Sequence, residues 1–210
     1  MPEKTVQKEP GKKPAPSKKP KPQQEVVVQI PLSELHPFPD HPFQVREDAS
    51  MQETAESVKE YGVLVPALAR PREDGGYELI AGHRRKHACE LAGLATMPVI
   101  VRDIDRDAAT IIMVDSNLQR ENILPSERAK AYKMKMEAIK RQGARTDLTS
   151  PKISAKFRSD DEVGQDAGVS GDTIRNYIAL TQLVPELQQM VDEKKIALSP
   201  AYQIAALTPK

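Results

Sequence analysis

Short apolar runs alternate with helical patterns in the first half of the chain. β-Branched and aliphatic runs predict four strands, at residues 26–30, 66–70, 77–81 and 98–102. Apolar residues spaced three or four apart predict helices over residues 50–61 and from His83 onward. Residues 36–46 contain three prolines and are expected to form an extended loop, and residues 73–76 a hairpin turn. This half is therefore predicted to be a small mixed α/β domain.

The strand patterns stop after residue 102, and only helical spacing follows. Helices are expected from Asp107, as the N-cap, to about Asn117, from Pro125 to Gly143, and from Ser159 onward, with a polar loop over residues 144–158. The fold class is thus predicted to be α+β, with the mixed α/β domain over residues 25–122 and an all-α domain over 123–210. The pattern at residues 207–210 predicts the start of another helix, as expected of a truncated protein or a divergent subgroup.

Composition narrows the class of protein. The chain has 210 residues, 39% of them hydrophobic, and no apolar run that reaches the roughly 18 residues of a membrane span. A single cysteine, Cys89, excludes an internal disulfide and suits a reducing cytoplasm. Net charge is only +1, but residues 1–24 are rich in lysine and proline, and residues 126–142 carry six Lys or Arg. We expect the first segment to be a disordered tail and the second to meet nucleic acid.

A glycine and two arginines stand where a predicted strand meets a predicted helix. Gly82, His83, Arg84 and Arg85 would occupy the N-terminus of that helix. Unpaired backbone N–H groups, the helix dipole and arginine side chains together favour an anion such as phosphate. A solvated basic first turn is the alternative, because basic helix faces are common.

The segment over residues 160–180 has the spacing of a helix-turn-helix. Gly164 is small where two helices would cross, Gly168 lies at the turn, and Ser170 is a good N-cap. In such a pair the second helix enters the major groove of DNA. Its outward side chains would be Ser170, Asp172, Thr173, Arg175 and Asn176. Phosphate contacts would fall to the helix over residues 126–142 and to Lys152, Lys156 and Arg158. A generic hairpin of two helices is the alternative.

Three ordered motifs resemble the ParB family of DNA partition proteins over residues 25–208. His41-Pro42-Phe43-Gln44-Val45-Arg46 is similar to the family's Asn-Pro-x-Gln-Pro-Arg, and Gly82-His83-Arg84-Arg85 is similar to its Gly-Glu-Arg-Arg. Ser116-Asn117-Leu118-Gln119-Arg120-Glu121-Asn122-Ile123 is similar to its Glu-Asn-Leu-Gln-Arg-Glu-Asp-Leu. The family's N-terminal domain is also sulfiredoxin-like, so the resemblance implies that fold, followed by the helix-turn-helix.

The resemblance implies a cytoplasmic, nucleoid-associated homodimer that loads on double-stranded DNA at a centromere-like site of a chromosome, plasmid or mobile element. CTP with Mg²⁺ would close the dimer into a sliding clamp, and the N-terminal tail would contact a ParA-type ATPase. No membrane partner is implied. Carried over by position, the nucleotide-binding residues are Gln44, Arg46, Gly82, His83, Arg84, Arg85, Asn117, Arg120 and Glu121. Asn117 and Glu121 would also bind the metal.

Departures from the family pattern leave alternatives open. Ser116 stands where the family has a glutamate that is expected to help hydrolysis or position the metal, so weak CTP hydrolysis stays an open question. A helix-turn-helix transcriptional regulator, whose ParB-like domain neither binds nor hydrolyses nucleotide, is the second hypothesis. An enzyme of the sulfiredoxin type is disfavoured, because Gly82 takes the place of its catalytic cysteine.

Overall fold

Five strands form one mixed sheet. The computed structural model describes residues 25–120, 122–147 and 159–207, so the tail predicted at residues 1–24 lies outside the described residues. The strands are β1 (Val27–Pro31), β2 (Leu35–Pro37), β3 (Ala67–Pro71), β4 (Tyr77–Ala81) and β5 (Thr96–Val101). Their order in the sheet is β1-β5-β3-β4-β2. The pairs β1–β5 and β3–β4 are antiparallel, and β3–β5 and β2–β4 are parallel.

The helices follow the sheet in the predicted order. They are α1 (Ala49–Tyr61), α2 (His83–Leu91), α3 (Arg106–Leu118), α4 (Pro125–Asp147), α5 (Ser159–Ala167), α6 (Gly171–Ala179), α7 (Pro185–Asp192) and α8 (Leu198–Leu207). None of the described helices combines the length and apolar character that a membrane span requires. A mixed α/β part followed by helices confirms the predicted fold class.

Strand β4 separates two hydrophobic cores, because successive side chains of a strand point to opposite faces of the sheet. Leu79 packs with residues of α1 and α2, whereas Ile80 packs with Met113 of α3 and Ala131 of α4. Both β4 side chains are fully buried. Helices therefore cover both faces of the sheet. The C-terminal end of β4 lies between α1 and α2 on one side and α3 and α4 on the other.

Three local predictions are wrong. The loop predicted over residues 36–46 begins with the short strand β2, whose three residues give too little pattern to recognise. Helix α3 is capped by Asp105, which accepts the N–H of Ala108 at 2.7 Å, rather than by Asp107. Asp107 instead lies buried inside the first turn and accepts a hydrogen bond from Nε of Arg141 at 2.8 Å. Helix α4 runs on to Asp147, into the predicted loop, of which residues 148–158 lie outside the described part.

Helix α4 packs against both the sheet part and the helical part. Its Ala131 joins the core beneath Ile80, whereas Ala129 and Tyr132 join two clusters formed with α5 to α8. Its Lys135 is only 1% exposed. The ammonium donates to Asp115 of α3 at 2.7 Å and to Asp166 of α5 at 2.9 Å. Burial opposes the charged form, but these two hydrogen bonds raise the pKa of Lys135 above its usual range.

Replacing Lys135 should destabilise the protein. Lys135→Met keeps most of the apolar stem but removes two charge-assisted hydrogen bonds, so we expect the free energy of unfolding to fall by about 2 kcal/mol. The matched control, Lys133→Met, changes an exposed lysine of the same helix and should have almost no effect. Urea unfolding measures both. Equal stability of the two variants would show that the buried ion pairs contribute nothing net.

Candidate anion site and helix pair

The N-terminus of α2 is built to be open. Gly82, between β4 and α2, has φ +110°, and a Cβ there would lie 2.8 Å from Cβ of Ala67, so both the backbone conformation and the space require glycine. None of the described side chains caps the helix. The first backbone N–H groups of α2 therefore point outward without intrahelical partners, which is the arrangement that attracts anions.

A cavity at this helix end gathers most of the predicted nucleotide residues. Seven of the nine line it: Gln44, Gly82, His83, Arg84, Arg85, Asn117 and Arg120. Three arginines contribute positive charge, and no carboxylate of the described residues lines the cavity. The cavity thus has the charge and the backbone donors of an anion site. This favours the anion site over the solvated basic turn.

The two arginines of the motif play different parts. Arg85 donates to the backbone oxygens of Val65 and Pro66 at 2.6 and 2.7 Å, so it holds the segment before β3 against α2. Arg84 makes only long contacts, at 3.6 Å to Asp48 and 3.3 Å to Oγ of Ser50. Arg84 is therefore the arginine of this pair that can turn toward a ligand without breaking a strong contact.

The end of α3 forms the opposite wall. The side-chain amide of Asn117 donates to the oxygen of Met113 at 2.8 Å, which leaves its Oδ1 as the group available to a ligand or metal. The hydroxyl of Ser116 donates to the same oxygen at 3.0 Å. Arg120 follows the helix and is exposed. The predicted Glu121 lies outside the described residues.

Arg46 is separated from the other predicted residues. It lines a different hollow, with Ser126 and with Gln188 and Gln189 of α7. Gln44 borders both hollows, and its backbone N–H donates to Oε1 of the buried Glu127 at 3.0 Å. The structure therefore brings Gln44, but not Arg46, to the cavity.

Two histidines meet in the cavity wall, and one of them was missing from the predicted set. The rings of His41 and His83 lie with centroids 3.9 Å apart. Burial and the neighbouring His41 lower the pKa of His83 to about 3, and burial also lowers the pKa of His41. His41, Phe43 and Ser116 all line the cavity without having been predicted to. Their place inside the first and third motifs was the available signal.

Helices α5 and α6 form the predicted pair. They are joined at Gly168 with φ +68°, and Ser170 caps α6 by accepting the N–H of Thr173 at 3.2 Å. A Cβ at Gly164 would lie 2.6 Å from the oxygen of Val169, so the two helices approach too closely there for any larger residue. Ser170, Asp172, Arg175 and Asn176 are exposed and Thr173 is half-buried. The N-terminal face of α6 is thus presented outward.

Arg175 has partners inside the pair that the sequence did not reveal. Its guanidinium contacts Asp160 of α5 and Asp172 of α6. These contacts raise its pKa. In this structure Arg175 therefore ties the two helices together, and it must leave at least one carboxylate to reach a base.

Only part of the basic stripe on α4 faces solvent. Lys135 is buried, Arg141 holds Asp107, and Arg128 stacks over the ring of Tyr177 at 5.7 Å. Lys130, Lys133 and Lys140 are exposed. Lys135, Arg141 and Arg128 thus make contacts within the protein, whereas phosphate contact by this helix stays a prediction. The predicted Lys152, Lys156 and Arg158 lie outside the described residues.

Cys89 is a core residue. It is fully buried in the cluster on the α1–α2 side of the sheet. Burial raises the pKa of its thiol, which makes the reactive thiolate less accessible.

Comparison with known proteins places these features in context. Residues 16–118 match the model of the ParB N-terminal domain. The chromosome-partitioning protein Spo0J of Thermus thermophilus is 35% identical over 185 residues, which are 88% of this chain and 61% of that protein. Stage 0 sporulation protein J of Bacillus subtilis is 30% identical over 187 residues, covering 89% and 60%. The chain thus spans about 60% of the length of these curated relatives.

One of the similar solved structures is also a ParB protein. The C-terminally truncated chromosome-partitioning protein ParB of Caulobacter crescentus, crystallised with the centromeric parS site, is 28% identical, with a TM-score of 0.55. The match covers 85% of this chain and 84% of that one. The similarity therefore extends across both the sheet and the helices that follow it.

Buried His83 should make the protein sensitive to acid. An unfolded histidine takes up a proton near pH 6.5, whereas folded His83 does so only near pH 3, so stability should fall as the pH drops from 6.5 toward 3. The contribution is at most about 1.4 kcal/mol per pH unit. Urea unfolding at pH 7, 6 and 5 should show a shallower pH dependence for His83→Asn than for wild type. His36→Asn, outside the cavity, is the control, and equal slopes for wild type and His83→Asn would contradict the assignment.

Proposed function

Since the chain belongs to the ParB family, we propose that it is a site-specific DNA-binding partition protein in which CTP, bound in the anion cavity, gates a clamp on DNA. The observation that carries the proposal is the cavity itself. An open helix N-terminus and three arginines line one space that no described carboxylate lines, and Arg84 and Arg120 are the two whose guanidinium groups are not held by backbone oxygens of the described residues. Such a space suits the several negative charges of a triphosphate.

The nucleotide would be held from three sides. The N–H groups at Gly82 and His83 and the guanidinium of Arg84 would bind phosphate oxygens, and Asn117 and Arg120 would approach from α3. Gln44, which also lines the cavity, would contact the remainder of the nucleotide. CTP is proposed over other nucleotides because the three sequence motifs resemble those of the ParB family.

We expect Mg²⁺ to bind at this site only together with the nucleotide, whose phosphates would supply some of its ligands. Among the described residues no cluster of three or more His, Cys, Asp or Glu is placed to hold a metal ion. Mg²⁺ keeps few protein ligands and commonly binds through substrate phosphates. Oδ1 of Asn117 and the carboxylate of Glu121 are the candidate protein ligands, and the ion would neutralise part of the triphosphate charge.

Hydrolysis of CTP is expected to be slow. The hydroxyl of Ser116 donates to the backbone oxygen of Met113. Unlike a glutamate, a serine hydroxyl is not ionised near pH 7 and so cannot act as a general base in the same way. The neighbouring carboxylate of Asp115 points to Lys135 instead of the cavity. Opening and closing would then depend mainly on binding and release of the nucleotide.

The helix pair α5–α6 supplies the DNA-binding part of the proposal. The exposed N-terminal face of α6 would enter the major groove, where Asn176 and Arg175 have the donors to read adenine and guanine. The exposed Lys130, Lys133 and Lys140, with Lys152, Lys156 and Arg158, would contact phosphates. The DNA is double-stranded and carries a centromere-like site, as does the DNA bound by the Caulobacter relative.

Assembly and location follow from the same proposal. A clamp needs two copies of the chain, so the protein would act as a homodimer at the nucleoid. The lysine- and proline-rich residues 1–24 would contact a ParA-type ATPase. A transcriptional regulator without nucleotide binding is the competing function, and Ser116 at a glutamate position of the family is the observation in its favour.

Arg84→Ala should separate nucleotide binding from DNA binding. The substitution removes a phosphate ligand in the cavity, so calorimetry should show CTP affinity reduced at least about tenfold. Affinity for a parS duplex should stay within about twofold, because Arg84 lies on α2 whereas the proposed DNA-binding face lies on α6. Arg72→Ala, in the β3–β4 turn, is the matched control and should change neither. Equal loss of both activities at an unchanged melting temperature would refute the division of roles.

Arg175→Ala should lower the preference for the specific site. Loss of a paired contact to guanine costs on the order of 1–3 kcal/mol, or about 5- to 150-fold in affinity for parS over a scrambled duplex of equal length. Thermal unfolding of the variant reports separately on the lost contacts to Asp160 and Asp172. Arg72→Ala, which lies outside the helix pair, is the control and should preserve the preference. An unchanged ratio in Arg175→Ala would show that the arginine serves only to join the two helices.

A further inference from the structure

The paired histidines of the cavity have unsatisfied polar atoms. Nε2 of His41 and Nε2 of His83 are both buried, and neither has a hydrogen-bond partner among the described residues. Buried polar atoms are nearly always paired, so two orphans in one cavity wall call for an explanation. Both rings line the space that Arg84 and Arg120 also face.

Hydrogen bonding fixes the protonation of His41. Its Nδ1 lies 2.7 Å from the backbone oxygen of Phe43, and a carbonyl oxygen can only accept, so Nδ1 carries the proton. A neutral ring then has a lone pair on Nε2. Burial lowers the pKa values of both rings, so the pair is neutral at pH 7 in the absence of ligand.

The charged groups around the pair explain why it stays neutral. Arg120 faces His41 and Lys86 faces His83, and each cation disfavours a second positive charge nearby. Glu127 favours a charged His41, but its carboxylate already accepts the N–H groups of Gln44 and Leu124. His41 also disfavours a positive charge on His83.

A bound anion would reverse this balance. A lone pair on Nε2 repels phosphate oxygens, whereas an N–H at the same position donates to them. The negative charge of the anion would also offset Arg120 and Lys86. Because Nδ1 of His41 already carries a proton, its Nε2 can donate to an anion only when the histidine pair holds an additional proton.

We propose that the anion bound in this cavity accepts a hydrogen bond from Nε2 of the His41–His83 pair, and that the pair takes up one proton from solvent as the anion binds. The inference rests on the proposed nucleotide site and adds to it the imidazole rings of His41 and His83 as ligand-contacting groups. The two rings act as one titrating unit because they are in contact.

Proton uptake makes affinity depend on pH. Between the pKa of the free pair and that of the occupied pair, the association constant falls about tenfold for each unit of rising pH. Binding is therefore tighter at pH 6.5 than at pH 8. Phosphate groups with a pKa of about 6 would give a smaller trend of the opposite sign, because they bind best when ionised.

Calorimetry in buffers of different ionisation enthalpy measures the uptake directly. The full chain is titrated with CTP and Mg²⁺ at pH 7.0 in three buffers, and the slope of the apparent enthalpy against the buffer's ionisation enthalpy gives the protons exchanged. We expect an uptake above about half a proton per nucleotide for wild type. The double variant His41→Asn/His83→Asn should show an uptake near zero, and His36→Asn should match wild type.

Inorganic triphosphate distinguishes failure of this inference from failure of the proposed function. Binding of triphosphate with proton uptake, but no binding of CTP, would uphold the histidine pair and reject the nucleotide assignment. Binding of either anion without proton uptake by wild type would overturn the inference, as would a cavity that binds neither.

A measurement on wild type alone guards against variants that fold poorly. Nitrogen-15 chemical shifts of the histidine rings should move from neutral imidazole toward imidazolium for one of the two rings when CTP or triphosphate is added at pH 7.0. Rings that stay neutral in the saturated protein would also overturn the proposal.

Discussion

The buried ammonium of Lys135 is the interaction on which the arrangement of the two halves depends. It lies on α4 and binds Asp115 of α3 and Asp166 of α5, so three helices meet at one charge. A lysine that is 1% exposed requires such partners, because an unpaired buried charge is strongly unfavourable. Asp115 immediately precedes Ser116 and Asn117 of the cavity wall. Lys135 therefore joins the helix that forms one wall of the cavity to the first helix of the α5–α6 pair.

The anion cavity combines fixed attraction with an adjustable element. The uncapped end of α2 depends on Gly82, whose φ of +110° and contact with Ala67 admit no side chain. Arg85 fixes that end by binding backbone oxygens, which leaves Arg84 to face a ligand. The histidine pair is neutral, and its Nε2 atoms have no hydrogen-bond partner in the described part of the chain, so we expect the wall to change its charge when the cavity fills. Attraction is thus built into the backbone, whereas the histidines respond to the ligand.

Helices, strands, turns and caps could be predicted from local sequence patterns. Contacts between side chains that are far apart in the sequence could not. Some positions could be predicted because only a few residue types fit them, as at Gly82, Gly168 and the Ser170 cap. Nothing in the sequence pairs Lys135 with Asp115 and Asp166, or Arg175 with Asp160, because those partners lie 15 to 31 positions apart. The sequence favours Asp107 as the cap of α3 because Asp105 and Asp107 lie within one helical turn and either could be the N-cap. His41 and His83 are 42 positions apart in the sequence, so only the folded chain reveals their contact.

Calorimetric titration of the chain with Mg²⁺ and CTP, alone and with a parS duplex, tests the central claim most directly. We expect saturable binding of CTP that ATP and GTP do not reproduce at the same concentration, and an affinity for CTP that changes when the duplex is present. Absence of CTP binding under both conditions would contradict the claim that the cavity at the N-terminus of α2 is a nucleotide site coupled to the helix pair.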